Sequence, residues 1–242
     1  MQLTQHDLQR YTRQMLLPEI GVNGQLQLKQ ARVLVVGAGG LGCPFLQYLA
    51  AAGAGHIGII DDDAVAISNL HRQILFNTND VGKNKAATAA EKLLLLNPLI
   101  EVQAFATRLT ADNATALISE YDVIADCSDN FETRYLVNDT CVQLNKPLIS
   151  GSIFQFEGQL SVYNYQGGPT YRCLFPEPSE MAACGITGVV GVLPGIIGSY
   201  MANEAIKVIC HTGTVLSGRL LVINILDNTI RLFQFSRQWI YA

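Results

Sequence analysis

The stretch Arg32-Val-Leu-Val-Val-Gly37-Ala-Gly39-Gly40-Leu-Gly42 decides how this chain is read. An apolar run without polar alternation predicts a strand covered on both faces, as in a parallel sheet flanked by helices. The glycines at 37, 39 and 42 predict a tight turn that delivers the chain into a helix ending near Gly53. His56-Ile-Gly-Ile-Ile60 reads as the next strand, closing at Asp61, and the three pieces make a βαβ unit.

Working outward, the alternation continues. A helix is expected from Lys85 to Leu96, stopped by Asn97-Pro98, then a strand from Glu101 to Ala106 and a helix near Asp112 to Ser119. A strand from Asp122 to Cys127, a helix from Glu132 to Leu144 and a strand from Pro147 to Ser150 follow. Upstream, Thr4-Gln5-His6-Asp7 resembles a capping box for a helix from about Asp7 to Leu16, ended by Pro18, and a short helix runs through Gln25 to Lys29. Beyond Ser150 the character changes. Gly158 to Tyr165, Gly218 to Asn224 and Ile230 to Phe235 read as antiparallel strands around a loop, residues 167–187, and a helix from about Gly195 to Ile209. The expected fold is α/β: a Rossmann-like, doubly wound, mostly parallel sheet extended by antiparallel strands in the C-terminal third. One domain is expected over residues 1–242, with a nucleotide-binding part at about 30–150 and a second part at about 151–242, and no linker near Ser152.

A chain of 242 residues with 49% hydrophobic and 15% charged residues suits one compact α/β domain. A formal charge of −4 argues against a broad nucleic-acid surface, which needs clustered cations. The uncharged stretches Val33 to Ile60 and Gly185 to Asn203 are long enough to raise a membrane span, but glycines and turns break both. The polar N-terminus lacks a signal peptide's apolar core, and the six cysteines are scattered without paired spacing; both suit a reducing cytoplasm.

Gly37, Gly39 and Gly42 form the G-x-G-x-x-G spacing that lets backbone approach a phosphate or ribose, with Gly40 inside the same turn. Asp61 lies nineteen residues beyond Gly42 at a strand end, where a carboxylate can accept from ribose hydroxyls, and Asp63 shares its loop. An adenosine-containing ligand follows, although a nicotinamide-dependent dehydrogenase would show the same spacing and acid. The segments Ser68-Asn69-Leu-His-Arg72-Gln73, Gly82-Lys-Asn-Lys85 and Asp126-Cys-Ser-Asp129-Asn130-Phe-Glu-Thr133-Arg134 separate the two. Loops at strand ends meet on one rim of a doubly wound sheet, so Asn69, Arg72, Lys85 and Asp129 can surround one triphosphate, with Asp129 holding magnesium and Gln73 and Asn130 beside them. Hydride transfer has no use for so many phosphate ligands. Taken singly, these residues have plainer readings: Arg72 and Lys85 as surface cations, Asp129 as a helix N-cap, Arg134 as a partner for Glu132 or Asp139.

With Arg10-Tyr-Thr-Arg13-Gln14 and Tyr171-Arg-Cys-Leu-Phe-Pro176, these motifs resemble, in order and over nearly the whole chain, the HesA/MoeB/ThiF family of molybdopterin-synthase and thiamine-carrier adenylyltransferases, relatives of ubiquitin-activating enzymes. The resemblance implies ATP-dependent activation of the C-terminal Gly-Gly carboxylate of a ubiquitin-like sulfur carrier as its acyl-adenylate, with release of pyrophosphate. The expected carrier is the small subunit of molybdopterin synthase; the thiamine sulfur carrier is the alternative, and a non-catalytic nucleotide-binding scaffold is a further one. It implies that Asp61 holds the ribose, that Asn69, Arg72 and Lys85 handle phosphates, that Asp129 binds magnesium, and that Arg13 reaches the neighbouring subunit of a homodimer. Residues 151–242 would then receive the carrier. Many members carry a zinc tetrad of two Cys-x-x-Cys pairs; here Thr170 stands where one cysteine would pair with Cys173 and no cysteine follows Cys210, so no zinc is expected. Cys184 matches a cysteine in the family's crossover loop, with either a covalent role or simple packing open to it.

Overall fold

The computed structural model describes residues 2–177 and 188–237. Its elements are α1 (Gln5–Met15), α2 (Gly21–Gln30), β1 (Arg32–Val36), α3 (Gly42–Ala52), β2 (His56–Ile60), α4 (Lys85–Leu96), β3 (Glu101–Phe105), α5 (Ala111–Ser119) and β4 (Val123–Asp126). The chain continues through α6 (Phe131–Gln143), β5 (Leu148–Phe154), β6 (Glu157–Tyr163), α7 (Tyr171–Leu174), α8 (Val192–Cys210), β7 (Arg219–Asn224) and β8 (Thr229–Gln234). The strands form one eight-stranded sheet in the order β3-β2-β1-β4-β5-β6-β7-β8. Strands β3, β2, β1, β4 and β5 are parallel, and β6, β7 and β8 continue the sheet antiparallel.

Successive residues of β1 explain why its sequence shows no alternation. Val33 and Val35 face one core, with Leu46, Leu49, Leu93, Ile197 and Met201 from α3, α4 and α8. Leu34 and Val36 face the other, with Ile118, Tyr135, Val137 and Tyr171 from α5, α6 and α7. All four are buried, so both faces require apolar side chains.

The capping box at Thr4 forms as expected, its hydroxyl accepting from the Asp7 N–H at 3.2 Å while the Asp7 carboxylate accepts from the Thr4 N–H at 2.7 Å. The helix it starts opens at Gln5 and closes at Met15, before Pro18. Strand β5 departs further from expectation. It runs on past Ser150 to Phe154 because its second half pairs antiparallel with β6, Gly151 opposite Leu160 and Phe154 opposite Glu157. The change of character near Ser152 thus falls inside a strand. The apolar stretch around residue 195 lies largely in α8, which carries Pro194, Glu204 and Lys207; among the described residues no helix is long and apolar enough to cross a membrane.

Candidate functional site

The order of the parallel strands reverses between β1 and β4, where a crevice opens at the carboxyl ends of an α/β sheet. The turn between β1 and α3 and the one between β4 and α6 form its two sides. Gly37, at φ +95°, lies so close to β4 that an added β-carbon would sit 3.0 Å from the Cys127 carbonyl oxygen. No phosphate-binding side chain emerges from this turn, so the turn's contribution is backbone and space.

Three groups close on the turn. The Ala38 N–H donates to the Asp61 carboxylate at 2.7 Å, and the Asp63 N–H donates to its other oxygen at 2.9 Å. Burial raises the Asp61 carboxyl above its ordinary range, opposed by the Ala38 N–H and the Lys85 charge. Asp63 accepts from the Lys85 ammonium at 2.7 Å, with the lysine side chain only 7% exposed and the aspartate 68% exposed. Asn84 caps α4 and donates to the Asp61 and Asp63 carbonyls, which pins the start of that helix to this loop.

From the other side comes the 3-10 turn Ile67–Asn69, whose Asn69 carbonyl accepts from the Arg72 and Gln73 N–H groups. A β-carbon at Gly39 would lie 3.7 Å from Gln73 Nε2, and one at Gly40 would lie 3.7 Å from Arg72 Cδ. Gln73 is buried, yet its Oε1 has no hydrogen-bond partner among the described residues. An unused buried carbonyl costs about 1–3 kcal/mol, which a ligand hydroxyl or amine would recover. Asp129 is exposed at the end of β4, next to Ser128, whose N–H and hydroxyl bind the buried Asp126 carboxylate. Asn130 caps α6 by accepting from the Thr133 N–H at 2.9 Å. The capping alternative considered for Asp129 therefore belongs to its neighbour.

The glycine turn, Asp61, Asp63, Lys85, Asn69, Arg72, Gln73, Asp129 and Asn130 thus share one rim. Arg13 does not join them. It is exposed on α1, whose Tyr11 packs against Gly53 at the far end of α3 and donor Asn97 beyond α4, the opposite rim of the sheet. Cys184 lies outside the described residues. Cys173 is buried, with Thr170 N–H 3.4 Å from its sulfur. Burial pushes the Cys43 thiol beneath the turn up to about 12 and the Cys127 thiol well above its usual range, so neither is a nucleophile at neutral pH.

Arg134 has a larger part than its sequence neighbours suggested. Glu132 pairs with Arg108, and Asp139 with Arg172, whereas Arg134 donates to the Ser128 carbonyl at 3.0 Å. Its buried Nε has no acceptor among the described residues. Arg134 lines a tight pocket of about 10 Å³ with Ser150, Gly151, Ser152, Gln159 and Tyr171, where β5 meets β6. The Ser128 contact is local, whereas the neighbours on β5 and β6 reach Arg134 only through the order of the sheet.

Sequence and structure comparisons agree on kinship. The chain is 51% identical over 239 residues to the sulfur carrier protein adenylyltransferase of Thermus thermophilus, covering 96% of this chain and 88% of that one. It is 54% identical over 223 residues to the adenylyltransferase and sulfurtransferase MOCS3 of Culex quinquefasciatus, covering 91% of this chain and 51% of that protein, so it spans about half the length of such relatives. Among solved structures, Escherichia coli MccB with AMPCPP and MccA superposes with a TM-score of 0.86 at 26% identity, covering 96% of this chain and 73% of that one. The ThiF family pattern matches residues 11–238, and with these relatives it settles the kinship: the chain belongs to the ThiF family.

Proposed function

We propose that this chain uses ATP to adenylate the C-terminal carboxylate of a ubiquitin-like sulfur carrier ending in Gly-Gly, releasing pyrophosphate. The observation that carries the reading is the convergence of Arg72 on Gly40 and of Lys85, through Asp63, on Asp61, so that two cations flank a turn open to a nucleotide. The names of the relatives support it: one is a sulfur carrier protein adenylyltransferase, and MccB has been solved with ATP.

The chemistry needs no general base. A terminal carboxylate, with a pKa of about 3.3–3.7, is already ionised at neutral pH. Its oxygen attacks the α-phosphorus, a new O–P bond forms, and the bond to the bridging oxygen breaks with its electrons leaving on pyrophosphate. The obstacle is one anion approaching another. Arg72 and Lys85 lower it by offsetting phosphate charge, the glycine turn admits the phosphates, and Gln73 Oε1 accepts from the nucleoside. Asp129 suits magnesium: it is an exposed carboxylate with no hydrogen bond or ion pair among the described residues, a hard oxygen donor for a metal that also takes phosphate oxygens. Such an ion would neutralise triphosphate charge.

The carrier's body fits the antiparallel end. Phe154 and Phe156 at the β5–β6 turn are exposed, as are Ile230 and Leu232 on one face of β8 and Phe233 on the other, apolar side chains at the open edge of the sheet of the sort that receive a partner. Arg134, whose buried Nε has no acceptor among the described residues, stands beside Ser150, Gly151 and Tyr171 and offers a donor to a carbonyl of an extended tail. Glycines at that tail's end would pass where side chains do not. The molybdopterin synthase small subunit is the first carrier to try and the thiamine carrier the second. Arg13, exposed on the opposite rim, would act on the site of a second copy in a homodimer. The zinc-free state rests on Thr170 standing where a second thiolate would be needed.

The test is exchange of labelled pyrophosphate into ATP with each carrier in turn. Exchange should require an intact Gly-Gly carboxylate; ATP binding without exchange for any such carrier would leave a scaffold instead. Cys184→Ala is expected to retain exchange within about 3-fold, because adenylation needs no thiol. Its complete loss in a folded variant would join the two roles that this mechanism keeps apart.

A further inference from the structure

We infer that His71 is a positioning residue for Arg72, orienting its guanidinium through a neutral imidazole. The inference rests on the reading of Arg72 as a phosphate ligand, and it adds a residue to which neither the motif nor the chemistry assigned work. Arg72 Nη1 lies 2.9 Å from His71 Nε2 and donates to the Ser68 carbonyl at 3.1 Å. A guanidinium has no lone pair to offer, so at this distance Nε2 must be the acceptor and the ring proton must sit on Nδ1. Two acceptors on one nitrogen fix the plane of the fork. Nε and Nη2 of Arg72 make no hydrogen bond among the described residues, which leaves the other side of the fork for an anion.

The imidazole is held from behind. A β-carbon at Gly191 would sit 2.1 Å from the His71 carbonyl oxygen and 3.3 Å from Nδ1, so the backbone leading into α8 lies directly on this residue. That segment is anchored in turn, with Val189 bridged to Gln155 at the β5–β6 turn. No titratable side chain other than Arg72 faces His71 from the described neighbours. The turn Ile67–Asn69, the glycines at 39 and 40, residues 188–191 and the first turn of α8 carry none. A proton on Nε2 would remove the accepting lone pair, so the ordered fork depends on the ring carrying its proton on Nδ1.

Three chains separate this from a merely structural role: the parent, His71→Gln and His71→Phe. Glutamine presents a carbonyl oxygen about as far from the main chain as Nε2. His71→Gln should therefore match the parent within about 3-fold in kcat for pyrophosphate exchange, while His71→Phe should be about 10-fold slower. A glutamine variant as slow as His71→Phe, or a phenylalanine variant as fast as the parent, would overturn the proposal. A second measurement needs no activity. In the ¹⁵N spectrum of the folded parent the His71 ring should be the Nδ1–H tautomer, the less common form of a free imidazole, and should lose that preference in Arg72→Met. An Nε2–H ring defeats the proposal by itself. Absence of exchange in every chain, with the Nδ1–H ring present, defeats only the adenylation reading.

Discussion

An Arg72→Ala chain is expected to melt within about 2 °C of the parent and to exchange pyrophosphate about 10²–10³-fold more slowly at saturating ATP. The separation of the two effects follows from where the guanidinium spends its hydrogen bonds. Both of its bonds, to the Ser68 carbonyl and to His71, are exposed and join residues within four positions of each other, so their loss leaves no buried group unpaired. The transition state has no such substitute. Negative charge gathers on the phosphates as the carboxylate approaches, and a fork already oriented beside Gly40 meets it without first rearranging. Arg72→Lys should recover part of the loss, about 10-fold, because an ammonium restores the charge and not the planar pair of donors. Exchange kinetics together with a thermal melt check both halves. A folded Arg72→Ala chain within about 3-fold of the parent would mean that the triphosphate lies elsewhere.

How far such a site could be read in advance depended on whether its causes were local. Helix α4 starts and stops where the sequence indicates, at Lys85 and Leu96, because Asn84 caps it and Asn97-Pro98 ends it. Strands β1 and β2 were equally plain, since the glycine turn and Gly53, at φ +86°, punctuate them within a few residues. The length of β5 was not legible. Its last residues are strand only because β6 returns along them, and nothing in Ser152-Ile153-Phe154 itself declares that pairing. Helix α7, four residues from Tyr171 to Leu174, is shorter than any periodic signal.

The same distinction runs through the site. Asp61, Lys85 and Arg72 were identified by residue type and by the strand ends they follow, and the structure gathers them on one rim. That Arg134 Nε and Gln73 Oε1 have no partner among the described residues was out of reach, because an unpaired atom is defined by what surrounds it in space. Arg13 shows the converse limit. The resemblance marks it, whereas the folded chain leaves it exposed on α1 at the opposite rim of the sheet.

The largest effect on stability is expected from Gly42→Ala, at a position where the substituent is a single methyl group. Gly42 opens α3, and its φ lies outside the left-handed region, so backbone strain is no part of the cost. An added β-carbon would sit 2.1 Å from the Gly37 carbonyl oxygen, well inside contact distance and against backbone that cannot turn aside. Nor can α3 retreat. The Cys43 N–H is bonded to the Gly39 carbonyl at 3.0 Å, and on the outer side α8 comes so close that a β-carbon at Gly198 would lie 2.5 Å from the Leu41 carbonyl oxygen. Relief therefore requires prising the turn away from β4, with the crevice deformed in consequence. Overpacking of this kind costs about 3 kcal/mol, which in a chain of this size lowers Tm by about 6–12 °C. Gly195→Ala supplies the control: nothing lies within 4 Å of its added β-carbon, and alanine in a helix interior should stabilise by about 0.5–1 kcal/mol. Thermal melts of the two variants, with ATP affinity measured alongside, should move in opposite directions, and ATP binding should fail in Gly42→Ala alone. A Gly42→Ala chain that melts with the parent would show that the turn yields, and the close fit between β1, α3 and β4 would then have no bearing on how the nucleotide is held.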